Sequence, residues 1–142
     1  MDLNLRIEND VPSILEKDGV QNNDLYSANQ VVVNVQDIIA SAPEPSWSKR
    51  VIDTESNSAT LICQNPGEGN REHHHTDWHE WWYIVAGEWD WEIEGKSTIV
   101  GVGDIVLIEK GKRHKITAVG TKPAIRLAVS RADVDHVYEE PV

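Results

Sequence analysis

The sequence predicts an all-β domain, a sandwich or barrel of short strands, and three observations carry that prediction. Segments 48–54, 58–64, 81–86, 88–94, 97–102, 104–108, 113–118 and 124–130 are rich in β-formers and recur at roughly ten-residue spacing. Gly67, Gly69, Gly87, Gly95, Gly103, Gly111 and Gly120 mark many of the turns. The length of 142 residues falls in the one-domain range of roughly 100–200 residues, enough to bury a core without staples.

Taken in order, the first 50 residues read as an N-terminal arm and residues 51–142 as the barrel. Asp10 is placed to cap a helix over 11–18, with Pro12 in its first turn and Gly19 as its stop. Residues 29–35, NQVVVNV, read as a β-branched strand that adds to a sheet edge of this chain or of a partner. One helical turn over 36–42 is ended by Pro43-Glu44-Pro45. The clearest strand is 88–94, where Trp89, Trp91 and Ile93 alternate with acids. Its acid face belongs in water and its Trp face in a core or pocket.

Composition excludes several classes. Thirteen basic against 24 acidic residues give a net charge of −11, which argues against nucleic acid and anionic membranes as partners. No apolar run approaches the length of a membrane span. The N-terminus has neither the basic nor the apolar region of a secretory signal. The single Cys63 cannot form an internal disulfide, so the expected compartment is the cytoplasm. Neither a G-x-S-x-G nucleophile elbow nor a phosphate loop is present.

The chemistry concentrates between positions 73 and 114, which hold five of the six Trp and five of the six His; Phe is absent. On a strand, His73 and His75 share a face. A bend over 76–79 returns Glu80 to it, and His114 follows a second glycine-bounded strand. Three imidazoles and a carboxylate suit Fe, Mn, Ni, Cu or Zn and leave positions open.

These residues fill a known pair of motifs. In G-x5-H-x-H-x(3,4)-E-x6-G, the fixed places are Gly67, His73, His75, Glu80 and Gly87. In G-x5-P-x-G-x2-H-x3-N, Gly103, Gly111 and His114 fit, while Glu109 and Ala118 replace Pro and Asn. Over about 58–130 the sequence thus resembles the cupin superfamily. That resemblance implies an antiparallel jelly-roll β-barrel and one divalent metal ion on His73, His75, Glu80 and His114. A register shifted by one would substitute His74 for the pair. The 3-hydroxyanthranilate dioxygenase branch has a single His six before its Glu, as His74 stands to Glu80. It also has an Arg where this chain has Ala118, so that branch's substrate is not supported.

Around the ion, Glu80 and His79 are the candidate catalytic groups. Trp82, Ile84, Trp89 and Trp91 are candidate pocket walls, their alternative being core packing. Arg71 and Arg126 are candidate anion contacts, with Lys110, Lys112, Arg113 and Lys115 at a rim. The expected function is a small Fe(II)-dependent oxygenase acting on an organic acid, working as a homodimer. A non-redox metal-dependent lyase, isomerase or cyclase is the alternative, and a non-catalytic binding domain is a third reading.

Overall fold

Alternation decides which face of each strand turns inward, and the computed structural model shows the result for residues 3–141. The order is β1 (Leu3–Glu8), α1 (Val11–Lys17), β2 (Asn22–Asp24), α2 (Val35–Ser41), β3 (Trp47–Asp53), β4 (Ser58–Gln64), β5 (Gly69–His73), β6 (Glu80–Ala86), β7 (Glu88–Ile93), β8 (Lys96–Gly101), β9 (Ile105–Ile108), β10 (His114–Val119), β11 (Ala124–Ser130) and β12 (His136–Pro141). A six-stranded sheet, β2-β3-β4-β11-β6-β9, faces a four-stranded sheet, β5-β10-β7-β8. β1 and β12 form a separate antiparallel ribbon. This is the all-β jelly-roll that the motifs imply.

The core between the sheets draws Trp82 and Ile84 from β6, Trp89 and Trp91 from β7, Val106 and Ile108 from β9, and Ile116 and Ala118 from β10. The alternation of β7 is as expected, with Trp89 and Trp91 buried and Glu88 exposed. β4 is buried along its whole length. Ala59, Leu61 and Cys63 pack outward against Ile38, Ile39 and Ala42 of the α2 region, while Ser58, Thr60 and Ile62 face the barrel cavity. Burial pushes the Cys63 thiol up to about 11, which leaves it a protonated, unreactive side chain.

The arm differs from expectation in more than one place: it carries the strands β1 and β2, and its expected strand is missing. Residues 29–34 form no strand: Asn34 caps α2 instead, accepting a hydrogen bond from the Asp37 N–H at 3.0 Å. Val31 and Val32 are exposed. Three β-branched residues suit a strand only with a sheet edge within reach, and here the short β2 takes that edge, parallel to β3. The helix over 11–18 is present as α1, though the Asp10 side chain makes no cap bond. α1 closes one end of the barrel through Ile14 and Leu15. None of the described helices is long and apolar enough to cross a membrane.

β5 and β10 approach so closely that only glycine fits at position 69. A Cβ there would lie 1.8 Å from the Ile116 carbonyl oxygen. Gly69→Ala is therefore expected to destabilise the protein by about 1–3 kcal/mol through overpacking. Urea denaturation measures this, and a midpoint equal to the wild type would contradict so close an approach.

Candidate metal centre

Strand register assembles the site. His114, the first residue of β10, pairs directly with His73, the last of β5. His75 follows two residues beyond His73, and Glu80 opens β6 after the intervening bend. All three imidazoles are buried, and so is Glu80. Ring centroids lie 4.9 Å apart for His73–His75, 4.3 Å for His73–His114 and 5.1 Å for His75–His114.

Each imidazole is oriented by a backbone carbonyl. Nδ1 of His73 donates to the Arg71 carbonyl at 2.7 Å, that of His75 to the Asp135 carbonyl at 2.9 Å, and that of His114 to the Lys112 carbonyl at 3.0 Å. A carbonyl only accepts, so the proton sits on Nδ1 and Nε2 is left free to bind a metal. Nε2 of His114 is buried with no hydrogen-bond partner. Nε2 of His75 lies 2.9 Å from Glu80 Oε1. Glu80 Oε2 accepts a hydrogen bond from the Trp82 indole N–H.

The charge states favour the same reading. Burial, reinforced by the neighbouring imidazoles, holds His73 well below the ordinary imidazole value, and burial pushes His114 down to about 4. Burial acts to raise the Glu80 carboxyl, but its contact with His75 outweighs this and holds it at about 2. The same contact outweighs the burial of His75 and raises that group. An ionised carboxylate beside His73 and His114, both held toward the neutral form, offers deprotonated donors of the kind a divalent ion requires, whereas the contact with Glu80 favours the protonated form of His75.

The structure also adds a residue. His136, on β12, joins His73 and His75 in one group of ligand atoms, while His75, Glu80 and His114 form a second. His136 lies beyond the stretch where the motifs run, and its imidazole is the sixth in the chain. Its signal was available only in the run Val134 to Tyr138, where His136 and Tyr138 share a strand face.

Around the centre, a narrow cavity of about 70 Å³ is lined by His73, Glu80, Trp82, Arg126 and His136, among others. Arg126 is fully buried, 5.1 Å above the Trp82 ring and 4.6 Å above that of Trp89. Its Nη1 donates to Gln64 Oε1 at 2.6 Å, and its Nε has no hydrogen-bond partner. Burial lowers the guanidinium to about 10, so it stays charged at neutral pH. Trp89, Trp91 and Ile84 stand in the core behind the cavity rather than along it.

The other sequence candidates lie elsewhere. Arg71 is half-buried outside the cavity, paired with Asp18 at 2.6 Å and lying over Tyr138. His79 is exposed, and its Nδ1 accepts a hydrogen bond from the Lys110 N–H at 3.1 Å. Lys110, Lys112, Arg113 and Lys115 are exposed and absent from the cavity wall, where Arg50 and Arg131 stand instead. His74 turns away from the cluster: its backbone bridges to Val137 and its ring lies 3.7 Å from Glu139.

A family model for the cupin domain matches residues 60–130, half of the chain. The chain is a cupin. Solved structures agree in fold. A Klebsiella pneumoniae protein with a double-stranded β-helix domain is similar at 20% identity and a TM-score of 0.63, over 74% of this cupin and 87% of that chain. A predicted oxalate decarboxylase from Thermotoga maritima is similar at 24% identity and a TM-score of 0.56, over 59% and 77%. KdgF from Halomonas sp. is similar at 22% identity and a TM-score of 0.54, over 58% and 76%. No curated protein matches the sequence of this cupin.

The depressed imidazoles make the stability of the metal-free cupin depend on pH. His73, His114 and His136 all titrate lower folded than in the unfolded chain, where the value is about 6.5. The unfolded state therefore takes up protons first, and stability present above about pH 6.5 is lost as pH falls toward the folded values. His75 acts with the opposite sign, one group against three. With a chelator present, the thermal midpoint is expected to fall steadily from pH 7 to pH 5. A midpoint that does not change over that interval would count against this arrangement.

Proposed function

We propose that this cupin is a mononuclear-metal enzyme acting on a small organic acid, with Fe(II)-dependent oxygenation as its chemistry. His73, His75, Glu80 and His114 are the residues that would hold the ion. When bound, it would supply a Lewis-acidic and redox-active centre with positions open to exogenous groups. The reading is supported above all by one observation. The free imidazole nitrogen of His114 is buried without a partner, beside a carboxylate held ionised at the edge of the cavity.

The residues of the chain divide the remaining work. Arg126 presents an unpartnered Nε and a buried positive charge to the cavity, which suits a substrate carboxylate in a dry pocket. Trp82 provides an apolar wall and, through its indole N–H, holds Glu80 in place. Ser130 lines the same cavity with an unpartnered hydroxyl. The cavity is far below the roughly 300–1,000 Å³ of drug-sized pockets, so the substrate is expected to be small. Arg50 and Arg131 also stand along the wall and add positive charge near the cavity, which favours the acid class.

Single Ala variants of His73, His75, Glu80 and His114 are expected to lose most bound metal while staying folded, as measured by elemental analysis and circular dichroism. Stoichiometric metal in His73→Ala and His114→Ala would sink the site. Small organic acids are expected to quench or shift the tryptophan emission of the metal-loaded protein, because Trp82 and Trp89 flank Arg126. Arg126→Gln is expected to abolish that response and keep the metal. Emission that responds to a neutral sugar but to no acid would overturn the acid reading. Oxygen uptake with a responding acid then separates oxygenation from non-redox chemistry.

Assembly as a homodimer belongs to the same reading. Trp81 and Tyr83 of β6 and Ile105 and Leu107 of the edge strand β9 form an exposed apolar face. Sedimentation at tens of micromolar is expected to show a dimer, and a monomer would count against it.

A further inference from the structure

We infer that His136 is a ligand of the same metal ion, making the site four imidazoles and one carboxylate, with the C-terminal strand as its third structural support. The inference rests on the metal-binding reading above and extends it to a residue outside both sequence motifs.

Three features of the structure support it. First, His136 is prepared as the other ligands are. Its Nδ1 donates to the Val134 carbonyl at 3.0 Å, which leaves Nε2 free. Second, its position converges on theirs. Its ring stacks on His73 with centroids 4.6 Å apart and stands perpendicular to His75 at 4.6 Å. Its ligand atom lies within 4.8 Å of those of His73 and His75. Third, the ribbon of β1 and β12 is locked to the site and not merely near it. His74 N–H donates to the Val137 carbonyl at 3.1 Å and Val137 N–H returns the bond at 2.8 Å. Asp135, next to His136, supplies the carbonyl that orients His75.

The two ligand groups, His73/His75/His136 and His75/Glu80/His114, both contain His75. The Nδ1 of His75 is taken by Asp135, so this imidazole has one nitrogen to give. It cannot serve two ions, so if both groups bind a metal they bind the same one. Packing alone does not explain His136. Stacking a half-buried imidazole on the buried His73 partly desolvates ring nitrogens that an aliphatic residue would not carry. With five protein donors, fewer positions on the ion would stay open to exogenous groups than with four. The substrate acid is then held by Arg126 and does not need to chelate the ion through two oxygens.

Cobalt(II) loading of the protein tests this without reference to activity. Each ligating imidazole keeps its Nδ1–H, so the paramagnetically shifted proton spectrum of the wild type is expected to show four exchangeable imidazole N–H signals. Three signals would overturn the inference, and that count needs no variant. His136→Ala and His136→Phe are expected to remove one signal and weaken cobalt binding by at least about 10-fold in chelator competition. His74→Ala, on the adjoining strand but turned away, is expected to leave both unchanged. Wild-type affinity in the two His136 variants would overturn the inference alone, whereas a wild type that binds no cobalt would overturn the metal reading with it.

Discussion

The site depends on one cross-strand contact, the pairing of His73 at the end of β5 with His114 at the start of β10. Because side chains alternate across a strand, a slip of one residue would turn one imidazole out of the barrel. Two local features hold the register. Gly69 lets β5 pass against the Ile116 carbonyl where no Cβ fits. Asn70 Oδ1 accepts the Ile116 N–H at 2.9 Å, satisfying a donor where the ladder shifts. The ladder thus gives up one regular step and loses no hydrogen bond at Ile116.

That contact obliges the interior to hold charge. Glu80 and Arg126 are both buried beside a core of tryptophan and aliphatic side chains. Isolated, each would be costly. Glu80 is stabilised by His75 and the Trp82 indole N–H, and Arg126 by Gln64 and the faces of Trp82 and Trp89. Trp82 joins the two, touching the carboxylate at its edge and the guanidinium at its face. At position 82 a Phe could not take this place, since a benzene ring has no N–H for Glu80.

The peripheral elements close what the two sheets leave open. α1 covers one end of the cavity, α2 covers the outer face of β4, and the ribbon of β1 and β12 reaches the candidate metal site. β4 shows why periodicity has limits. Helix on one side and barrel on the other bury every residue of Ser58–Gln64, so no alternation marks its inner face.

The sequence by itself determined eight of the barrel strands, though not β2 or β5, together with the fold class and four residues with the chemistry of a metal site. Alternation, turn glycines and fixed motif spacing are local properties, and the chain carries them without its partners. The turn glycine before Glu88 and the strand Glu88–Ile93 are cases where local and global preferences agree. Tertiary structure alone decided the rest. It left Val31 and Val32 in solvent, because the sheet edge that a β-branched run needs was already filled by β2. It chose Arg126 over Arg71 for the cavity, because Asp18 holds Arg71 outside while β11 turns Arg126 inward. It left His79 exposed, because its bend faces the Lys110 backbone. And it brought His136 to His73 across 63 residues of sequence, since pairing between distant strands is a property of the folded sheet and not of any window along the chain.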